Sequence, residues 1–257
     1  FALRLWASFD YTAGGLQFVD RVAWIPAFNI HYAVGVDGIS LPLVLLTAFL
    51  IPLCVLGSWR SIATNVKAFM MLILLAEGAV VGVFTALDAI LFFLFWEITM
   101  IPAYFMIAFW GGPNRIQAAI KFVLFSLTGS LLLLVGFLSL YHAGGDTFDM
   151  LALMQGHYAP KVQVWIFLAL FVGFAIKVPM LLVHSWLADA HGEAPTAGSV
   201  ILSGLLLKMG AYGLIRFCLS MLPEASATFA PFVMWLSVLA ILYGGAMALA
   251  QPDFKRL

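Results

Sequence analysis

Four ionisable residues stand where a strongly apolar sequence should hold none. Glu97 lies in Leu91-Phe92-Phe93-Leu94-Phe95-Trp96-Glu97-Ile98-Thr99-Met100, and Lys177 in Phe174-Ala175-Ile176-Lys177-Val178-Pro179. Lys208 lies in Leu205-Leu206-Leu207-Lys208-Met209, and Glu77 inside a fourth apolar run. An ionised group at mid-bilayer costs about 2.5–3.5 kcal/mol on insertion scales, so four unpaired ones would cost roughly 10 kcal/mol. A Glu–Lys pair that only fixes helix register explains one such residue. Two lysines and a glutamate, far apart in sequence and each central in its run, fit a proton relay better. Lysine suits that chemistry because desolvation or a neighbouring cation readily lowers its pKa. A lysine whose partner carboxylate moves away releases its proton; one whose partner returns holds it. Glu77 ranks second, since Gly78 and Gly82 beside it suggest close helix packing.

Between Lys177 and Lys208 the chain changes character. Pro179 removes a helix donor and tends to break the helix. Then follows Val183-His184-Ser185-Trp186-Leu187-Ala188-Asp189-Ala190-His191-Gly192-Glu193-Ala194-Pro195-Thr196, with two His, one Asp and one Glu between very apolar runs. A broken helix beside central charges is how transporters present polar groups to a water-filled cavity. His184 titrates near neutral pH and passes a proton through either ring nitrogen; a surface or capping histidine is the alternative. His184 and His191 are seven apart, with no His-Glu-x-x-His and no paired cysteines, so no metal site is expected. No Gly-rich phosphate loop, serine with an evident base, or haem-attachment motif appears, and no redox or hydrolytic chemistry is expected of this chain.

These residues need elements to hold them, and composition says which. Of 257 residues 64% are hydrophobic and 9% charged, with 12 Lys+Arg against 12 Asp+Glu. That is far too little charge to cover a soluble domain. A net charge of zero with no basic run gives no case for nucleic acid. The two cysteines, Cys54 and Cys218, read as membrane-buried thiols. Seven apolar stretches, at roughly 39–58, 66–86, 89–110, 117–141, 163–182, 198–219 and 230–250, are each near the length a ~30 Å hydrocarbon core needs. They lack strand-like alternation, so an all-α polytopic helix bundle is expected, with a broken helix near Pro179. Residues 1–38 read as an extramembrane segment on one surface, with Trp6 and Trp24 at the interface, and 39–257 as the helix bundle. Asp88 is placed to cap the helix that follows it. Arg216, near the end of its span, is expected to snorkel to the interface. Arg60, Lys67, Arg115, Lys121, Lys255 and Arg256 on one side, against Arg4, Arg21 and Lys161 on the other, put the first group in the cytoplasm. The chain starts at Phe1 and stops abruptly after Asp253-Phe254-Lys255-Arg256-Leu257; both ends are expected to be cut from a longer polypeptide.

Several motifs in one order carry a resemblance. Ile176-Lys177-Val178-Pro179, His184-Ser185-Trp186-Leu187-Ala188-Asp189-Ala190-His191, Glu193-Ala194-Pro195-Thr196-Ala197-Gly198-Ser199-Val200 and Leu205-Leu206-Leu207-Lys208-Met209-Gly210-Ala211-Tyr212-Gly213 closely resemble the antiporter-like membrane subunits of respiratory complex I. The Ala-Pro-Thr-Ala-Gly-Ser-Val variant looks like the subunit M branch, counterpart of mitochondrial NADH dehydrogenase subunit 4. Phe95-Trp96-Glu97 with Pro102-Ala103-Tyr104, and the closing Gln251-Pro252-Asp253-Phe254-Lys255-Arg256-Leu257, match its pattern too. The likeness runs from about Gly35 to the end. Ala188 stands where the family usually has Pro. The family has about fourteen helices in two inverted repeats; seven here would cover the first, and the second is absent from this sequence.

The resemblance implies a proton-translocating subunit driven by NADH oxidation and quinone reduction elsewhere. Glu97 would pair with Lys177, Lys208 would lead toward the second half, and His184 would relay between them. No cofactor is implied on this chain; NAD, FMN, iron–sulfur clusters and quinone would belong to partner subunits. Partners would be other complex I membrane subunits, further antiporter-like ones included, and lipids, in a bacterial cytoplasmic membrane rather than the mitochondrial inner membrane. Competing readings are a Mrp-type cation/proton antiporter subunit, the membrane arm of an energy-converting hydrogenase, and a membrane scaffold.

Overall fold

The computed structural model describes residues 1–251; the closing motif after Gln251, with Lys255 and Arg256, lies outside the described residues. Seven helices are long and apolar enough to cross a membrane: α2 (Ser40–Ser58), α3 (Val66–Thr85), α4 (Ala89–Trp110), α5 (Arg115–Ala143), α7 (Pro160–Lys177), α9 (Thr196–Leu219) and α10 (Pro223–Ala250). Short helices α1 (Ala2–Ser8), α6 (Met150–Gln155) and α8 (Ser185–Glu193) complete the set. The protein is a multi-pass helical membrane protein.

The first 38 residues hold a feature that hydropathy alone does not reveal. Strands β1 (Gln17–Ile25) and β2 (Ile30–Val36) form an antiparallel hairpin, turned through Asn29 in the left-handed region. β1 is solvent-facing, whereas β2 lies against the bundle, its Ala33 carbonyl accepting from the Leu87 N–H at 2.9 Å. Asp88 fixes this junction. It is fully buried, caps α4 by accepting from the Ile90 and Leu91 N–H groups at 2.9 and 3.2 Å, and takes the His31 N–H at 3.0 Å. Burial pushes its carboxyl above the usual range, against the pull of those three donors. Nearby, Asp149 caps α6 and pairs with Arg21 at 2.6 Å. Asp88→Ala should lower stability by about 1–2 kcal/mol, the upper end of the range for a lost N-cap. Thermal unfolding in detergent checks this; an unchanged midpoint would mean the hairpin is anchored elsewhere.

An aromatic cluster fills the bundle centre. Phe92 meets Phe137, Phe174, Phe217 and Tyr212, and Trp96 packs edge-on to Phe174 at 5.5 Å. Helices α5 and α7 approach closely through Gly129 and Gly173, where a methyl on either would press on the other's carbonyl; small residues allow such close crossings in lipid.

Two departures from the expected spans bear on the site. Helix α7 ends at Lys177, not near 182. The chain then turns irregularly to His184, with Leu182 at φ 83°, a region costly for a side-chain-bearing residue. Helix α9 is not uniform: Leu202–Leu206 and Leu214–Leu219 are π-helical, on either side of Lys208 and around Arg216. Such insertions occur often at functional sites.

Candidate functional site

Lys177 is the most deeply buried basic residue among those described. Only 3% of it is exposed. It is terminal in its helix, not central as the sequence suggested, because the turn before Pro179 stops α7 inside the bundle. A cation at a helix C-terminus meets the partial negative charge of the last carbonyls. Its ammonium lies 5.4 Å from the centroid of the Trp96 ring and 5.5 Å from that of Phe122. Ring faces attract cations, more strongly when desolvated.

Glu97 is one residue along α4 from Trp96 and acts electrostatically on Lys177. The two do not form a direct ion pair: among the described residues no carboxylate oxygen lies within 4.0 Å of Lys177. The Glu97 Oε1 atom is buried with no hydrogen-bond partner. The expected pair is therefore not closed, and the Trp96 and Phe122 rings lie against the ammonium instead. Glu77 stays half-buried within α3. Of its two glycine neighbours, Gly82 packs against the Phe95 ring and Gly78 faces open space.

His184 stands at the start of α8 with its Nδ1 atom buried and unpartnered. Its ring meets Tyr243 of α10 edge-on, 5.5 Å between centroids. Together with Lys121, Ser185, Asp189 and Tyr243 it lines a cleft of about 520 Å³. Trp186, two residues on, is fully buried; its indole N–H donates to the Ile176 carbonyl at 2.9 Å and its ring packs on Phe122. Glu193, at the far end of α8, accepts from the Asn114 N–H through its carboxylate and from the Gly112 N–H through its carbonyl.

Lys208 differs from expectation. It is exposed, and its ammonium donates to the Ser203 carbonyl five residues back, at 2.8 Å. It points away from the seven-helix bundle and does not line the His184 cleft, so these helices do not bring the two together. Arg216 reaches the segment that precedes α2 while staying covered by protein. It is 9% exposed and binds Asp37 at the start of α2 at 2.5 Å, with its guanidinium over the Tyr212 ring.

Sequence reasoning missed a pair here. Lys121 donates to Asp189 at 2.7 Å and to the Ser185 carbonyl at 3.0 Å. Lys121 counted only toward orientation, although its place inside an apolar run was a signal of the same kind as Lys177. Asp189 was visible in the polar stretch, but nothing in one sequence pairs them.

The site is thus a buried lysine with no closed carboxylate partner, near a histidine-lined cleft at a helix break. The family "NADH:quinone oxidoreductase/Mrp antiporter, TM" matches residues 86–257, and "NADH-ubiquinone oxidoreductase chain 4, amino terminus" matches residues 16–83. The chain belongs to the NADH:quinone oxidoreductase/Mrp antiporter family. Over its whole length this antiporter-family chain is 44% identical to NADH-ubiquinone oxidoreductase chain 4 of Chondrus crispus, covering 52% of that protein. It is 45% identical to NADH-quinone oxidoreductase subunit M of Rhodobacter capsulatus, again covering 52%. The chain thus spans about half the length of the curated relatives it matches. It superposes on a chain of respiratory complex I from Thermus thermophilus with a TM-score of 0.86 at 32% identity, covering 100% of itself and 54% of that chain. The Mrp complex from a Dietzia species shares the fold, with a TM-score of 0.83 at 21% identity, 100% of this chain and 28% of that one being covered.

Proposed function

We propose that the chain is a proton-translocating, non-redox subunit of an NADH:quinone oxidoreductase, moving protons through Glu97, Lys177, His184 and Lys208. The observation that carries this is Lys177: a lysine buried in the bundle, with Glu97 close enough to act on it but not bonded to it. A structural ion pair would close, because an open buried pair forfeits the attraction that offsets desolvation. A pair that opens and closes is what proton hand-off needs. Lys208, exposed on the flank of the bundle, is the group placed to pass charge beyond these seven helices. His184 faces the cleft and supplies the exchangeable site there. The relatives' names support the complex I assignment over a Mrp-type antiporter. NAD, FMN, iron–sulfur clusters and quinone belong on this reading to partner subunits, among them further antiporter-like ones. On this reading membrane lipid surrounds the helices of a bacterial cytoplasmic membrane, and the excess of Lys and Arg at the α2–α3 and α4–α5 connections supports a cytoplasmic face on that side.

The test is Lys208→Met in the full-length protein within its assembled complex. Methionine keeps the length of the side chain and removes its charge. Proton translocation into vesicles, followed with a pH-sensitive dye, should fall by about tenfold or more, since positioned proton-transfer groups contribute on this scale and above. NADH:quinone turnover should fall with it if the steps are coupled. A parental rate would make Lys208 structural and remove it from the relay.

A further inference from the structure

We propose that Lys121 is a positioning residue that holds α8, and with it His184, in the geometry proton transfer needs; the inference rests on the translocation reading above. Helix α8 follows an irregular segment and has no side-chain cap at its start. Its far end is tied to the α4–α5 turn through Glu193, and its first turn to the end of α7 through Trp186. The same turn is tied to α5 by Lys121, whose ammonium reaches the Ser185 carbonyl and the Asp189 carboxylate. Those two residues are four apart and so lie on one face of a helix. One ammonium therefore clamps the first turn of α8, directly after His184.

The clamp is joined to the buried lysine through its neighbour. Phe122, next to Lys121 on α5, packs on Trp186 of α8 at 5.4 Å and lies beneath the Lys177 ammonium. Residues 121 and 122 thus set both where α8 sits and what surrounds Lys177. The pair is about one-third exposed, 34% for the lysine and 38% for the aspartate side chain, and opens on the cleft shared with His184 and Tyr243. Exposed single ion pairs contribute little to folding stability. Loss of this one should therefore show in transfer, not in assembly.

The test uses the full-length protein in its complex, in vesicles, with complex content measured beside proton translocation. Lys121→Met should reduce translocation by about tenfold at unchanged complex content, the scale expected when a reacting group is displaced by less than an ångström or so. Lys121→Arg should keep most of the rate, because guanidinium can hold both oxygens. The exchange of Lys121→Asp with Asp189→Lys should recover part of what either single change loses. If Lys121→Met lowers complex content, Asp189→Asn gives the same reading with the lysine retained. A parental rate in Lys121→Met or Asp189→Asn overturns the proposal, as does equal impairment by Met and Arg. Lys177→Met, run in parallel, separates the two readings. If it translocates normally, the translocation reading itself fails; if it is impaired while Lys121→Met is normal, only the clamp fails.

Discussion

Lys177→Met should abolish proton translocation almost completely, by about a hundredfold or more, while the complex still assembles. Methionine fills the same volume and its sulfur packs well on aromatic rings. The floor of Trp96 and Phe122 should therefore accept it, and removing a desolvated charge relieves a cost. What is lost is the only ionisable group of α7 inside the bundle. Glu97 would remain, buried with one oxygen unsatisfied and with no ammonium to answer. Glu97→Gln should act in the same direction with a smaller loss, because Lys177 would keep its place on the ring faces. The measurement is dye-reported translocation in vesicles against complex content from native gels. Normal pumping by Lys177→Met would leave the buried lysine without a role in transport.

Asp37→Ala should be the most damaging change to stability, at about 3–5 kcal/mol. Asp37 and Arg216 side chains are 16% and 11% exposed and bonded to each other, so deleting the carboxylate strands a guanidinium whose Nε is already without a partner. Burial alone would raise the Asp37 carboxyl, but Arg216 and the backbone N–H groups of Ser40 and Ile39 outweigh it and hold it below the usual range. A carboxyl lowered on folding stabilises above its unfolded pKa and loses that contribution as pH falls through its folded pKa. The pair should therefore weaken on acidification below the ordinary carboxylate range and stay constant near neutrality. Thermal midpoints across pH, for parent and Asp37→Ala, check both statements. The double change Asp37→Ala with Arg216→Leu should recover much of the loss, since no buried charge remains; failure to recover would mean Asp37 acts mainly by capping α2.

The helices could be read from the sequence because lipid leaves few choices: an apolar run of bilayer length must satisfy its own backbone. The break near Pro179 and the oddity of Lys177 were legible for the same reason. The hairpin was not. β1 is exposed along nearly its whole length and so carries no alternation, and the contact of β2 with Leu87 is made across fifty residues. Asp37–Arg216 and Lys121–Asp189 were hidden by distance, 179 and 68 residues apart. The exposure of Lys208 was not legible because hydropathy marks a span as apolar without saying which of its faces meets the other helices.

Helix α10 is fastened at one end. Its start is fastened: Phe229 stacks on Phe167 at 5.0 Å, the Ser226 hydroxyl binds the Cys218 carbonyl, and Gln163 of α7 accepts from the Glu224 and Ala225 N–H groups. Within it only Ala225 is buried. Further along, Tyr243 touches His184 through a single ring edge. Phe229 and Tyr243 are 14 residues apart, about 21 Å along a helix. A lever of that arm converts a tilt of about 5° into a displacement of about 2 Å at its tip. That stroke is enough to make or break the ring contact over His184. A rotation of α10 of that size about its fastened end would therefore open or close the ring contact over His184, with no helix unwound and no bond of the bundle core exchanged.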